Sequence, residues 1–495
     1  MRALSIAASF VAAGLASCTR QVERPNVLLI TIDTLRADRL SVAGYPRATT
    51  PNLDRLAAEG LRFTHAETPR AKTTPAIASL MTGLYPHDHG ARDLLMPLDW
   101  RVPVLAERLR DAGWKTAAII GNYVLLDRHS GLARGFERWT EDLPDREGVP
   151  PDDAPERRAR SMTDAALSAL SSTTPGGDPW FLWLHYMDPH GLYDPPGEHR
   201  VFRSETPDPI PDPPETLPGE IQRFTVAEYN VPPGCRTQDG RIDAARVRDL
   251  YDGEVRYVDA EIGRLMNALR ESGTLDRTLV VVTADHGESL GEHRYWFEHG
   301  RDAYETTCRV PLVMRFPTIL GDRPKPGLRR GDVSLVDLAP TILALLGLPP
   351  LVSVEGTRVR GVSREVLFAE DSPAPHPVFV EKVDRAELSG AVQSKAVRIG
   401  DWKLIRRYTH VLAPEKRLVV LSDELYDLAR DPGETVNLAA DPPASAPLLR
   451  LQAELLRFAD ADVRFDDLAR QLQSRRELLE RQDPEALRVI QALGY

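Results

Sequence analysis

The sequence predicts an α/β fold in which helices cover both faces of a mostly parallel central sheet, followed by a small α+β region. Three observations carry that expectation. Apolar runs such as NVLLITI and TLVVVTA show no polar alternation, which fits strands buried on both faces as in a parallel sheet. Segments with helical periodicity stop at Gly60, Gly113 and Gly273 and alternate with those runs, the order of a doubly wound sheet. With 495 residues, 42% of them hydrophobic, the chain can fill one large core and a second, smaller one.

Taken in order, NVLLITID (26–33) reads as the first buried strand and PNLDRLAAEG (51–60) as a helix ended by glycine. VPVLAERLRDAG (102–113) is a further helix, and KTAAIIG after it a strand. FLWLHYM (181–187) and TLVVVTAD (278–285) are two more buried strands, with AEIGRLMNALRESG (260–273) an amphipathic helix before the second. In open α/β sheets the ligand crevice lies beyond the carboxyl ends of the strands, where Asp33, His190 and Asp285 would be delivered together. Ten of the 41 prolines fall between Pro195 and Pro233, so this stretch reads as an irregular excursion, either shaping access to the crevice or simply covering surface. Beyond residue 350, RIGDWKLIRR, ELYDLARDPGETVNLA (424–439) and helical sequence from Pro447 to Tyr495 suggest the α+β subdomain and a helical tail.

The ends and the charge narrow the setting. Residues 1–18 combine Arg2, an apolar stretch from Ala3 to Leu15 and small terminal residues, the build of a secretory signal and too short for a comfortable membrane span. Leu15-Ala16-Ser17-Cys18 resembles the lipobox of bacterial lipoproteins, which implies acylation at Cys18, a polar tether over 19–25 and a lipid-anchored place in the bacterial envelope, on its periplasmic or extracellular face. An ordinary signal with an incidental cysteine is the alternative. Only Cys235 and Cys308 follow, so there is no disulfide framework; one disulfide and two thiols are both open. A net charge of -11 without a basic stripe argues against nucleic acid as a partner.

Chemistry concentrates at a few positions. KTTPAIASLMTG (72–83) puts Thr73 ahead of Pro75 at the start of a helix that ends at Gly83, where exposed N–H groups and the dipole favour an anion. Alone, such a threonine also reads as an N-cap. Asp285-His286-Gly287-Glu288 follows a buried strand and offers a carboxylate and an imidazole side by side; with Asp33 it could hold a divalent metal, although either residue could instead cap a loop. His185, His190, His293 and His299 gather four of the 12 histidines near the same expected edge.

The motifs NVLLITIDTLRADRL, TPNLDRLAAEG, TTPAIASLMTG, YMDPHGLYDPP, VVVTADHGESLGEH, RVPLVMRFP, VSLVDLAPTILALLG and ELYDLARDP occur in the order of the sulfatase family of the alkaline phosphatase superfamily, which this chain resembles over most of residues 26–439. The resemblance implies an α/β/α sandwich, a sulfatase-like catalytic domain over 26–350 and a C-terminal subdomain with its helical tail over 351–495. It further implies a divalent metal at the sheet edge, of a kind (Ca, Mg, Mn or Zn) that sequence does not fix, and hydrolysis of sulfuric or phosphoric esters of small molecules, glycans or lipids. Residue by residue, Asp33, Asp285 and His286 match metal ligands, joined by Thr73 at the nucleophile position. His190 matches the histidine that contacts the substrate anion, and His299 falls near a basic substrate-binding residue; both are candidate proton donors. Asn122 stands in the substrate-binding GNYV segment, and Lys403 in GDWKL suggests a structural role.

Departures from the pattern matter as much. Sulfatases convert a Cys or Ser to formylglycine, with Pro and Arg two and four residues on; Thr73, Pro75 and Ile77 occupy those places. Threonine cannot yield the aldehyde, so no formylglycine is expected, and an unmodified Thr73 activated by the metal fits better. Asn122 and Val124 replace two cationic groups, and Thr34 replaces a second metal-binding Asp. Two other readings therefore stand beside a Thr73 hydrolase: an envelope phosphoryl-group transferase, and a non-catalytic binding lipoprotein that kept the fold.

Overall fold

The structure, a computed structural model, describes residues 24–143, 156–171, 177–213, 225–320, 323–351, 375–383, 392–411 and 417–460, with positions 368, 477, 481 and 483. Cys18, the signal and most of the tail after residue 460 lie outside the described residues. The first strands are β1 (Asn26–Ile32), β2 (Leu61–Glu67), β3 (Lys115–Ile120), β4 (Arg138–Thr140) and β5 (Trp180–Tyr186). Next come β6 (Thr225–Val226), β7 (Thr278–Ala284), β8 (Ser289–Leu290), β9 (Tyr295–Glu298), β10 (Arg309–Arg315) and β11 (Gly327–Ser334). The C-terminal strands are β12 (Val378–Val383), β13 (Val392–Ile399), β14 (Trp402–Val411) and β15 (Arg417–Asp427).

Eight strands form the central sheet in the order β11-β2-β10-β7-β1-β5-β3-β4. β1 runs parallel to both β5 and β7, and β10 is antiparallel to its neighbours β7 and β2. All residues of β1, β5 and β7 are buried, the physical counterpart of their unbroken apolar composition. Ile32 pairs with Tyr186 on one side and Ala284 on the other, so all three strands end at one level and Asp33 and Asp285 leave the sheet side by side. The sheet is α/β with a mostly parallel order, as its strand composition dictates.

One helix is longer than its periodicity suggests. The segment expected over 260–273 is the last half of a 28-residue helix, Ala244–Glu271. Its first half buries Asp249, Asp252 and Glu254, which hide the apolar stripe, and Gly253 looks like a helix breaker. Those acids are paired instead: Asp252 receives Arg39 and Arg47, Asp249 receives Arg47, and Glu254 receives Arg158. Gly253 is there for space, since a Cβ would lie 2.7 Å from Pro195 Cγ.

β12 to β15 form a four-stranded antiparallel sheet, covered by the Leu448–Asp460 helix through Leu451 and Leu455. A buried ionic cluster joins it to the main sheet. Arg398 Nη1 lies 2.7 Å from Glu305 and 3.3 Å from Glu67, and Lys403 Nζ lies 2.9 Å from Glu305 and 3.1 Å from Glu434. The motif lysine thus holds two units together, as its structural reading expects. Cys235 and Cys308 are both buried free thiols.

Candidate active site

Strand ends, one helix start and one loop converge beyond β1. Asp33 follows β1, and Asp285 and His286 follow β7. The chain then turns tightly at Gly287, whose N–H donates to Thr307 O at 2.8 Å; a Cβ there would sit 2.2 Å from Thr306 O, so only glycine lets the loop pass. Thr73 opens the Thr73–Thr82 helix, whose N-cap is Lys72. The Thr73 hydroxyl faces the acids: Oγ1 is 3.5 Å from Asp33 Oδ2 and 3.4 Å from His286 Nε2. The N-cap position itself falls to Lys72, which makes no side-chain cap hydrogen bond, and Thr73 is the first helical residue.

Asp33 is the hub. Its Oδ2 accepts from Asn122 Nδ2 at 2.6 Å and lies 3.3 Å from His185 Nε2. His286 Nε2 is 3.8 Å from Asp33 Oδ1 and 3.4 Å from Asp285 Oδ2. Asp285 Oδ1 accepts the N–H of His286 at 2.8 Å and of Thr34 at 3.3 Å. Asp33 Oδ1 and Asp285 Oδ2 are buried without a hydrogen-bond partner. Burial pushes both carboxyl groups toward the neutral form. In Asp33 the His185 hydrogen bond and the charges of His190, His286 and His185 outweigh burial and hold it at about 2. Asp285 is pushed up by burial and by the Asp33 charge. Two interior carboxylates with one orphaned oxygen each, two imidazoles and a hydroxyl fit a divalent cation: they offer hard and intermediate donors and an excess of negative charge. Among the described residues, Asp33, His185 and Asp285 bring ligand atoms within 4.8 Å of one another.

A second ring of histidines adjoins. His299 lies with its ring 4.3 Å from that of His286 and 5.4 Å from that of His190. Its Nδ1 is 3.2 Å from Glu288 Oε1, whose other oxygen accepts from Tyr193 OH at 3.1 Å. Burial, then the charges of His286, His190 and Lys72, push the His299 pKa well down, and burial pushes that of Glu288 well up. His190 Nδ1 lies 2.9 Å from Gly191 O.

The fold therefore brings together Asp33, Thr73, Asn122, Asp285, His286, His190 and His299. Asn122 differs in posture from a residue free to meet substrate. Its Nδ2 holds Asp33 and its Oδ1 accepts from Val124 N at 2.9 Å, because it caps a short 3-10 turn. Ile77 is fully buried in the main core, four residues along the helix from Thr73. His293 stacks on the Tyr304 ring at 3.6 Å. His185, one of the four histidines expected near this edge, carries no assigned role in the sequence, where it is the lone imidazole of an apolar strand; Lys72, held by Asp93 at 2.8 Å, is there only the neighbour of Thr73.

The fold places the chain in the alkaline phosphatase superfamily. The structure of the phosphonate monoester hydrolase of Agrobacterium radiobacter matches with a TM-score of 0.64 at 25% identity, over 89% of this chain and 96% of that one. The sulfatase family profile matches residues 25–348, and that of the N-sulphoglucosamine sulphohydrolase C-terminal region matches 291–461. The chain belongs to the sulfatase family, whose members are hydrolases. Choline-sulfatase of Rhizobium meliloti is 29% identical, over 92% of this chain and 90% of that protein. The multifunctional alkaline phosphatase superfamily protein PehA of Trinickia caryophylli is 27% identical, over 87% and 94% respectively.

Proposed function

We propose that this protein is a metal-dependent hydrolase of sulfuric or phosphoric esters in which unmodified Thr73 is the nucleophile. The observation that carries the reading is the position of Thr73 Oγ1, 3.5 Å from Asp33 Oδ2 and 3.4 Å from His286 Nε2. Asp33, Asp285 and His286, with Thr73 itself, would hold the divalent metal; Ca, Mg, Mn and Zn all suit some part of this set. When bound, that ion supplies Lewis-acid polarisation of the ester and lowers the pKa of a bound hydroxyl.

The residues supply the rest. Thr73 gives up its hydroxyl proton to solvent and Oγ attacks the sulfur or phosphorus, forming one bond as the bond to the leaving oxygen breaks. The N–H groups at the start of its helix face the anion's charge. His190 is the proton donor to the leaving oxygen: with Nδ1 bound to Gly191 O, its Nε2 is the atom that exchanges the proton. His299 is a neutral anion contact. A neutral Glu288 donates to its Nδ1, which places the ring proton on Nε2. Asn122 holds Asp33 in place and borders the anion site. Water then bonds to the sulfur or phosphorus of the Thr73 ester as the bond to Thr73 Oγ breaks, and a proton of that water returns to Thr73 as the acid anion leaves. The names of the two curated relatives and of the phosphonate hydrolase support small sulfate, phosphate or phosphonate esters as the substrate class.

Lipid anchoring through Cys18 belongs to the same reading, on the strength of LASC at 15–18. No helix among the described residues is long and apolar enough to cross a membrane. The deciding experiment is turnover of matched aryl sulfate, phosphate monoester, phosphate diester and phosphonate, with Thr73→Ala and metal-stripped controls. Phosphoester or sulfate turnover abolished by both controls supports the reading; full activity of Thr73→Ala sinks it.

A further inference from the structure

His185 is an unusual residue for its place. It is fully buried in β5, one residue from the end of the strand, among apolar neighbours. An imidazole in such a position needs both ring nitrogens satisfied. Nδ1 lies 2.9 Å from Thr31 Oγ1. That hydroxyl accepts the Trp183 indole N–H at 2.9 Å and can send its own proton to Leu184 O at 3.3 Å. Its remaining lone pair can then take the Nδ1–H of His185, the tautomer in which Nε2 binds a cation in place of the proton it otherwise shares with Asp33. This Nε2 is 3.3 Å from Asp33 Oδ2, an acceptor facing an acceptor unless a cation or a proton lies between them. His286 is built alike: its Nδ1 lies 2.9 Å from Gly287 O, and its Nε2 is aimed at Asp33 and Asp285.

We infer that His185 is a direct metal ligand, so that two imidazoles and two carboxylates hold the ion, and that the site selects an imidazole-preferring metal such as Zn or Co over Ca. The inference rests on the metal-dependent reading above. Two neutral imidazoles with Asp33 and Asp285 balance a divalent charge, whereas Ca takes six to eight oxygen ligands. Thr34, next to Asp33, brings a hydroxyl and no further carboxylate, and its side-chain oxygen is buried without a hydrogen-bond partner. Donor atoms of one tetrahedral ion bound at about 2.0 to 2.2 Å lie about 3.3 to 3.6 Å apart. The ligand atoms of Asp33, His185 and Asp285 all lie within 4.8 Å of one another, so closing on an ion takes a shift of at most about 1.5 Å, within reach of side-chain rotation. Thr31, one layer behind, is the positioning residue that fixes the tautomer.

The test uses the purified, chelator-stripped protein titrated with Co, Zn and Ca, followed by bound-metal analysis, the visible spectrum of the Co form and metal-induced thermal stabilisation. Wild type should take up one Co or Zn per chain in preference to Ca. His185→Ala and the bulkier His185→Gln should weaken Co and Zn binding at least tenfold and shift the Co spectrum, with Ca stabilisation changed less. Unchanged Co affinity and spectrum in both variants, with binding lost in Asp33→Asn, would overturn His185 as a ligand and leave the proposed hydrolase intact. No metal uptake by wild type would overturn both. Should neither His185 variant fold, X-ray absorption of the wild-type Zn form decides: two imidazoles support the inference, and one refutes it.

Discussion

The two orphaned carboxylates make a prediction that runs against the usual effect of an active-site mutation. In the stripped protein Asp33 and Asp285 stand together without a metal, their ligand atoms no more than 4.8 Å apart. At an effective dielectric of about 20, two full charges at that distance repel by about 3.5 kcal/mol. Protonation of Asp285, whose pKa burial and Asp33 both raise, relieves part of this, so about 1 to 2 kcal/mol is a reasonable net cost. Asp285→Asn removes it at almost no change in shape. Asn Oδ1 still accepts from His286 N and Thr34 N, and an uncharged amide nitrogen takes the place of the orphaned Oδ2. The variant should therefore melt a few degrees above wild type in chelator. Saturating metal should reverse the order, because wild type gains about 2.7 kcal/mol at a hundredfold excess over Kd and the variant gains little. Paired melting curves with chelator and with Zn or Mn are the assay. A variant less stable than wild type in both conditions would refute the charge argument.

Two further expectations concern other parts of the chain. In the inter-sheet cluster, Lys403 and Arg398 draw on Glu305, so burial pushes Glu434 to about 8 and Glu67 to about 7. Both folded values lie above the unfolded one, so the folded state keeps protons that the unfolded chain releases, and stability should fall between about pH 4.5 and 8, by up to about 1.4 kcal/mol per pH unit for each proton. Glu434→Gln should lose its share of that slope and gain on wild type as pH rises; parallel stability curves across pH 5 to 8 would contradict this. Cys18→Ala should move the protein from the membrane fraction to the soluble envelope fraction, and unchanged fractionation would count against anchoring.

Much of the fold was legible because its signals are local. Unbroken apolar runs at 26–32 and 278–284 imply burial on both faces, whatever surrounds them. Asp33 and Asp285 could be assigned to one edge from their positions at strand ends alone, because parallel strands deliver their carboxyl ends together. The long helix over Ala244–Glu271 was only half legible. Its buried acids look like surface residues until their arginine partners, 96 to 213 positions away, are in view.

By itself the sequence determined the α/β class, the order of the motifs and the absence of a cysteine at position 73, since these depend on residue type and spacing. Tertiary structure alone decided that the Thr73 hydroxyl turns to Asp33 and His286, that Asn122 holds a carboxylate, and that His185 joins the acids. Those facts depend on strand register and on angles between side chains far apart in the chain. The physical reason is that a hydrogen bond needs its atoms within about 3.5 Å, a distance set by packing and invisible in residue order.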